Sequence, residues 1–304
     1  MSLLNDENNN STLEINDSTN DTKEKNKFTE KWFQFKNIIL ENYKFLTLIL
    51  LFLIIIPLSI LAIIIGTHQD NKNIKIIAWN LENFGSTKLK NEIILGKIKE
   101  IISDYDVIML SELEQSSCEK HSDCEMKKYF ENNYPDYQFF MSHNLGLNEN
   151  NNRGKEQYGF LIKNDLDVEF NNFDNSYKYF SRPPSFIYLK NKNIFIATVH
   201  LSFSNSENEV KYLDTFFQSI NGDLVLLGDL NICNPKSING EKIRINYNWL
   251  LDDYDNTNIA NCCAYDRIIT KKSFDKWSEA DIIRNEDILF YNISDHFPIS
   301  LVLH

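Results

Sequence analysis

The stretch "DLVLLGDLN", Asp223 to Asn231, sets the terms for reading this chain. Leu224 to Leu227 form an apolar run of the length and type of a buried strand. That run ends in Gly-Asp-Leu-Asn. An acid and a carboxamide at a strand end either close a turn or belong to a site. The same ending recurs along the chain. "IKIIAW" (74–79) leads into Asn80, "DVIMLSE" (106–112) ends in Glu112, and "NIFIATVHL" (193–201) carries His200. "AYDRIIT" (264–270) carries Asp266, and the closing apolar alternation opens with "SDHFP" (294–298), which holds Asp295 and His296. One such ending is ordinary turn chemistry, but six are a pattern. Strand ends at one sheet edge converge, and their carboxylates and carboxamides form an oxygen set suited to Mg²⁺ or Mn²⁺. Two histidines beside that set can move protons near neutral pH. The combination points to metal-assisted phosphodiester cleavage.

The segments between these endings supply the fold class. "YGFLIK" (158–163) and "SFIYLK" (185–190) read as further strands, while "KLKNEIILGKIKEII" (88–102) and "ENEVKYLDTFFQSI" (207–220) have apolar residues at helical spacing. Strands dominate and helices are interspersed, which predicts an α/β fold of two packed sheets flanked by helices. There is no internal repeat and no phosphate-cradling glycine loop.

Composition narrows the partners. The 304 residues include 21 Phe and 14 Tyr but only 9 Gly and 6 Pro, so a large core is expected. Net charge is −12, of which residues 1–44, with eight Asp/Glu and six Lys, account for −2. The remaining −10 does not attract nucleic acid by bulk charge, so a polyanionic substrate would need a metal or a local basic patch.

Residues 1–44, rich in Asn, Ser, Thr, Asp and Lys, read as a disordered cytoplasmic tail. "FLTLILLFLIIIPLSILAIIIG", Phe45 to Gly66, is uncharged and long enough to cross a bilayer. It is expected to be an uncleaved transmembrane signal-anchor. A cleaved signal peptide is the competing reading, but the stretch starts late, is long for that role and lacks an Ala-x-Ala exit. Lys27, Lys31, Lys36 and Lys44 precede the span, against Lys72 and Lys75 after it. That bias places the N-terminus in the cytoplasm and exports residues 74–304 to the extracellular or lumenal side. All five cysteines, Cys118, Cys124, Cys233, Cys262 and Cys263, follow the span without Cys-x-x-Cys spacing. Disulfides suit an exported domain, with reduced structural thiols as the alternative. The lipid bilayer is thus an expected partner, and no protein partner is implied.

"WNLENFG" (79–85), "DVIMLSELE" (106–114), "TVHLS" (198–202), "GDLN" (228–231), "YDRI" (265–268) and "SDHFP" (294–298), in this order, resemble the endonuclease/exonuclease/phosphatase superfamily. "KEQYGFLIK" (155–163), "SRPPSF" (181–186) and "NCCAYDRI" (261–268) are similar to the deoxyribonuclease I family within it. The resemblance covers residues 74–304 and implies a four-layer sandwich of two mainly antiparallel sheets with a catalytic domain's function. It implies that Glu112 binds the catalytic Mg²⁺ or Mn²⁺, with Asn80 and Asp295 close by, and that Asp229 and Asn231 hold metal, water or the scissile phosphate. His200 oriented by Glu156, and His296 oriented by Asp266, would be the acid/base pair. Arg182 stands where the family contacts phosphate. A Cys233–Cys263 disulfide is implied, with Cys262 as competitor, and Asp255 and Thr257 match part of a family Ca²⁺ site. The family has arginines at the positions of Glu82 and Glu114 and a tyrosine at Gly154, side chains that touch DNA. Their loss here puts the minor-groove mode of duplex binding in question. The expected function is a membrane-anchored, metal-dependent endonuclease acting on DNA. The alternatives are a sphingomyelinase-like phosphodiesterase acting on a lipid or inositol phosphate, and a tethered binding domain without catalysis.

Overall fold

The structure, a computed structural model, describes residues 18–70, 72–114, 124–147, 153–173, 178–233, 243–260 and 263–304. The chain divides into two units. In the N-terminal unit the described residues form one long helix, Ser18–Asp70. Residues 18–44, expected to be disordered, are therefore helical. Polar composition alone does not bar a helix, and no Gly or Pro interrupts the stretch before Pro57. Every large apolar side chain from Phe45 to Leu61 is exposed, and the helix is apolar and long enough to cross a membrane.

The second unit is built on thirteen described strands. In chain order they are β1 (Ile74–Phe84), β2 (Val107–Glu114), β3 (Tyr137–Met141), β4 (Leu145–Leu147), β5 (Arg153–Lys163), β6 (Val168–Asn172) and β7 (Ser185–Leu189). There follow β8 (Ile194–His200), β9 (Asp223–Asp229), β10 (Tyr247–Trp249), β11 (Asp266–Lys271), β12 (Trp277–Ile282) and β13 (Ile299–Leu303). One sheet runs β12-β13-β1-β2-β5-β3, with β4 also on β5, and the other runs β10-β11-β9-β8-β7-β6. Only β1–β2 and β8–β9 pair in parallel among the described strands, so the sheets are mainly antiparallel, as expected.

Side-chain alternation decides the layers. Ile76 and Ala78 of β1 face Ile196, Val225 and Ile268 of the other sheet in the central core. Ile77, Trp79 and Leu81 face outward under the helices Glu92–Ile102 and Glu125–Asn133, with Ile98, Ile102 and Phe130. Ala197, Val199 and Leu226 lie under the helix Leu213–Ser219 with Phe216 and Phe217. Helix, sheet, sheet and helix make four layers around three apolar clusters.

Three boundaries differ from the sequence expectation. The helix expected over 88–102 breaks into Ser86–Leu89 and Glu92–Ile102, because the Asn91 side chain accepts from the backbone N–H groups of Ile93 and Ile94 and caps a new start. The helix expected over 207–220 likewise breaks into Ser206–Glu209, a 3₁₀ turn Val210–Tyr212 and Leu213–Ser219. The last strand starts at Ile299, not at "SDHFP". Pro298 has no N–H to give a ladder, and His296 makes only an isolated bridge to Asn258.

Candidate active site

Strand register gathers the polar endings. On β8 and β9, His200 is opposite Asp229, and on the other flank of β9 Asp266 is opposite Asp229. On β1 and β2, Asn80 is opposite Ser111, one residue before Glu112, and Glu114 is opposite Glu156 of β5. Gly228 lets β8 and β9 close up beside the site: a Cβ there would sit 2.2 Å from the Val199 carbonyl oxygen. Glu82, Asn83, Glu112 and Asn231 all have φ between 46° and 57°. Four non-glycine residues in the left-handed region around one place is backbone strain of the kind that functional sites retain.

These residues surround a cavity of about 460 Å³. Of the sequence-predicted residues, Glu112, Arg182, His200, Asp229, Asn231, Asp295 and His296 line it. His200 Nδ1 lies 2.6 Å from Glu156 Oε1, and His296 Nδ1 lies 2.7 Å from Asp266 Oδ2. Each imidazole therefore turns Nε2 toward the cavity. The two Nε2 atoms approach the same oxygen, Asp229 Oδ2, at 3.5 and 3.6 Å.

Burial by itself would lower both imidazole pKa values. For His296 the carboxylates of Asp266, Asp229 and Asp295 outweigh it and raise the value to about 10. For His200 burial is likewise outweighed, chiefly by Glu156, and the value rises. Burial pushes the Glu156 carboxyl up, but His200 and Arg182 hold it below its usual range. Asp229 is raised by burial against the opposing pull of the two imidazoles.

The remaining predicted residues sit beneath or beside the cavity. Asn80 is buried. Its Oδ1 accepts from the Glu82 N–H, while its Nδ2 donates to Glu112 Oε1 and Asp229 Oδ2. The carboxamide thus spaces two carboxylates rather than offering its oxygen to the cavity. Arg182 spends Nε and Nη2 on the carbonyls of His200 and Leu201, and Nη1 lies 3.1 Å from Glu156. Asp255 and Thr257 do not line the cavity. Asp255 accepts from the Asp252 N–H, and the buried Thr257 hydroxyl accepts from the Asp266 N–H, steadying the strand that carries Asp266. Cys233 and Cys263 form the expected disulfide. Cys124 is also in a disulfide, while Cys118 and Cys262 lie outside the described residues. Glu82 approaches Lys88 at 3.7 Å.

Several site residues escaped sequence reasoning. Asn258 is buried, and its Nδ2 lies 3.0 Å from His296 Nε2 and 3.3 Å from Asp295 Oδ2. Nothing in "DNTNIAN" distinguishes that asparagine; only its bridge to Cys263 and His296 brings it there. The Ser294 hydroxyl donates to the Asn80 carbonyl and accepts from the His296 N–H, and the Trp79 indole donates to the His296 carbonyl. Tyr158, inside the "KEQYGF" segment, accepts from the His200 N–H. Buried Glu209 accepts from Ser181 and from the Ser202 N–H, tying "SRPP" to the loop after His200. Phe203 and Tyr265 also line the cavity.

The donor set suits a hard divalent cation. The Glu112 and Asp295 side chains reach the cavity 20% and 38% exposed. Among the described residues no three His, Cys, Asp or Glu side chains form an all-protein cage. One or two carboxylates completed by water and phosphate oxygens is the habit of Mg²⁺, so the residues fit such an ion.

No protein-family profile matches the chain. Deoxyribonuclease-1 of Bos taurus is 28% identical over 289 residues, spanning 81% of this chain and 98% of the relative. A solved structure of D. rerio TDP2 complexed with single strand DNA product matches with a TM-score of 0.53 at 15% identity, over 77% of this chain and 100% of that one. An endonuclease/exonuclease/phosphatase family protein from Leptotrichia buccalis C-1013-b matches with a TM-score of 0.52 at 16% identity, over 76% of this chain and 99% of that one. The chain has the endonuclease/exonuclease/phosphatase fold, and its sequence is similar to deoxyribonuclease-1 over most of its length.

Proposed function

We propose that residues 74–304 form a divalent-metal-dependent endonuclease that hydrolyses phosphodiester bonds in DNA, carried on a membrane anchor at Phe45–Gly66. One observation carries the reading: two buried imidazoles, each held at Nδ1 by its own carboxylate, turn Nε2 into one acidic cavity. Hydrolysis of a phosphodiester needs a proton taken from water and a proton given to the leaving oxygen. Two histidines on one oxygen-lined cavity can do both when one ring is neutral, to take the first proton, and the other charged, to give the second. Glu156 and Asp266 fix which ring nitrogen faces the substrate and stabilise the charged form of each ring. Asn80 bridges the carboxylates of Glu112 and Asp229, and Asn258 reaches Asp295 and His296.

Glu112 would hold the cation, with Asp295 and Asn231 beside it. Bound there, Mg²⁺ or Mn²⁺ supplies positive charge for the phosphate oxygens where the protein offers little. DNA as substrate is supported by the similarity to deoxyribonuclease-1. The anchor is supported by the exposed apolar helix, and the exported location by the lysine bias and the Cys233–Cys263 bond.

The test is cutting of a plasmid and of single-stranded DNA by the full chain in detergent, with and without EDTA, beside hydrolysis of sphingomyelin and an inositol phosphate. Metal-dependent cutting of either DNA with no lipid or inositol product supports the reading. Turnover of sphingomyelin or the inositol phosphate without DNA cutting gives the site to the second chemistry, and no turnover of any would leave a binding domain.

A further inference from the structure

The cavity is acidic at its floor and aromatic at its rim. Phe203, three residues after His200, is 70% exposed yet lines the same cavity as both histidines. Its neighbour across the rim is Tyr265, with ring centroids 6.4 Å apart at 82°, an edge contact that buttresses the ring and leaves a face open. The loop that carries Phe203 is pinned on both sides. The Leu201 carbonyl accepts from Arg182 and Asn231, the Ser202 N–H donates to Glu209, and the Asn205 N–H donates to the Ser202 carbonyl. A large aromatic ring presented to water by a pinned loop contributes little to packing and is pre-organised for a ligand.

Charge shows what kind of contact must supply affinity. The described cavity lining holds the carboxylates of Glu112, Asp229 and Asp295 against two imidazoles, each already paired with a carboxylate of its own, and one arginine, Arg182, engaged with Glu156 and two carbonyls. Nearby Lys88 is bound to the carbonyls of Leu81, Glu82 and Ile293. Beyond the scissile phosphate itself the protein therefore offers few cations to the strand, whereas stacking on an aromatic ring is indifferent to charge and to base identity. A ring can stack only on a base whose face is uncovered, and in a duplex the neighbouring base pairs stacked above and below cover it.

Building on the nuclease reading above, we propose that Phe203, buttressed by Tyr265, is a stacking platform for an unpaired nucleobase beside the scissile phosphate, so that the substrate is single-stranded nucleic acid. The test uses the full chain in detergent micelles with Mg²⁺. Binding is read by fluorescence anisotropy of a labelled single-stranded oligonucleotide and of its duplex, in a His296→Ala background so that cutting is slow. Chemistry is read separately in the otherwise wild-type chain, as hydrolysis of bis(p-nitrophenyl) phosphate.

Phe203→Ala should weaken single-strand binding about tenfold or more, Phe203→Trp should restore it, and the duplex should bind at least tenfold more weakly than the single strand. Unchanged single-strand binding in Phe203→Ala or equal affinity for the duplex would overturn the platform. Absence of ester hydrolysis in the otherwise wild-type chain would instead count against the nuclease reading, whatever the anisotropy shows.

Discussion

At the scale of single residues, His296 and Glu112 occupy different positions, so their losses should differ. His296 Nδ1 is clamped by Asp266 and its Nε2 faces Asp229 and Asn258; Glu112 offers a carboxylate to the cavity. His296→Ala should keep the fold and cut turnover about a hundredfold or more, and adding Asp266→Asn should cost little further, since the pair acts as one unit. Glu112→Ala should instead raise the Mg²⁺ concentration needed for half-maximal rate. Single-turnover cleavage and a Mg²⁺ titration on the same preparations check both; a His296→Ala domain cutting at a near-normal rate would remove that residue from the mechanism. The same histidine predicts a pH effect on stability. Its folded pKa, about 10, lies above the unfolded value of about 6.5. The folded state therefore binds the proton more tightly, and its contribution is complete below about pH 6.5 and lost as pH rises toward 10. Melting temperature in metal-free buffer should fall across that window, and His296→Ala should flatten the fall. Identical slopes in both proteins would show that the Asp266–His296 pair does not carry it.

At the scale of elements, the site exists because two parallel strand pairs end together. In β8 and β9 the whole register, Ile194 with Asp223 to His200 with Asp229, depends on close backbone approach at Gly228. Gly228→Ala places a methyl against the Val199 carbonyl, a backbone atom that cannot swing away. It should cost about 1–3 kcal/mol and lower turnover together with melting temperature, which thermal melts and single-turnover cleavage measure side by side. A melt within a degree of the parent would mean that the strands separate more easily than the register implies. This element scale is also where the sequence was most and least legible. The apolar runs at β1, β2, β8, β9 and β11 announced themselves, because strands buried on both faces read as continuous apolar stretches. So did their polar endings, since Asn, Asp, Glu and His at the close of such a run are conspicuous. Short, half-exposed strands such as β6 and β12 carry no such signal. The helix break at Asn91 turned on one side chain's choice of partner. Asn258 was invisible because its place beside His296 comes from pairing across the chain, not from residue type or spacing. Arg182, read from the sequence as facing phosphate, is spent on two carbonyls and Glu156, a competition only the folded arrangement can decide.

At the scale of the whole molecule, charge and topology constrain how the site meets its substrate. The net charge of −12 leaves long-range attraction to a polyanion to be supplied locally. Glu114 at the end of β2 makes that worse where the family resemblance expects an arginine. Glu114→Arg should raise cleavage at low substrate concentration and steepen its salt dependence by about one counterion. Glu82 is the poorer probe, since an arginine there would meet the Lys88 ammonium. Cleavage rates at 50 and 200 mM salt decide it, and an unchanged salt slope would place residue 114 away from the nucleic acid. The other whole-molecule constraint is the helix Ser18–Asp70, whose apolar side chains from Phe45 to Leu61 are exposed. Exposed apolar surface of that length in water would drive association; in a bilayer it needs no partner. Four lysines before the span and two after it favour keeping the N-terminal side in the cytoplasm. The Cys233–Cys263 bond, in the domain that follows the helix in sequence, fits an oxidising compartment. Two independent signals, charge at the flank and oxidation in the domain, therefore call for the same orientation. Protease added to intact cells or sealed vesicles should remove the domain containing residues 74–304 and leave a short fragment that carries the N-terminal epitope and the helix. Protection of the domain, with digestion of the N-terminal side, would reverse the orientation and leave the disulfide facing a reducing compartment, an outcome that free thiols at Cys233 and Cys263 in freshly trapped protein would then have to accompany.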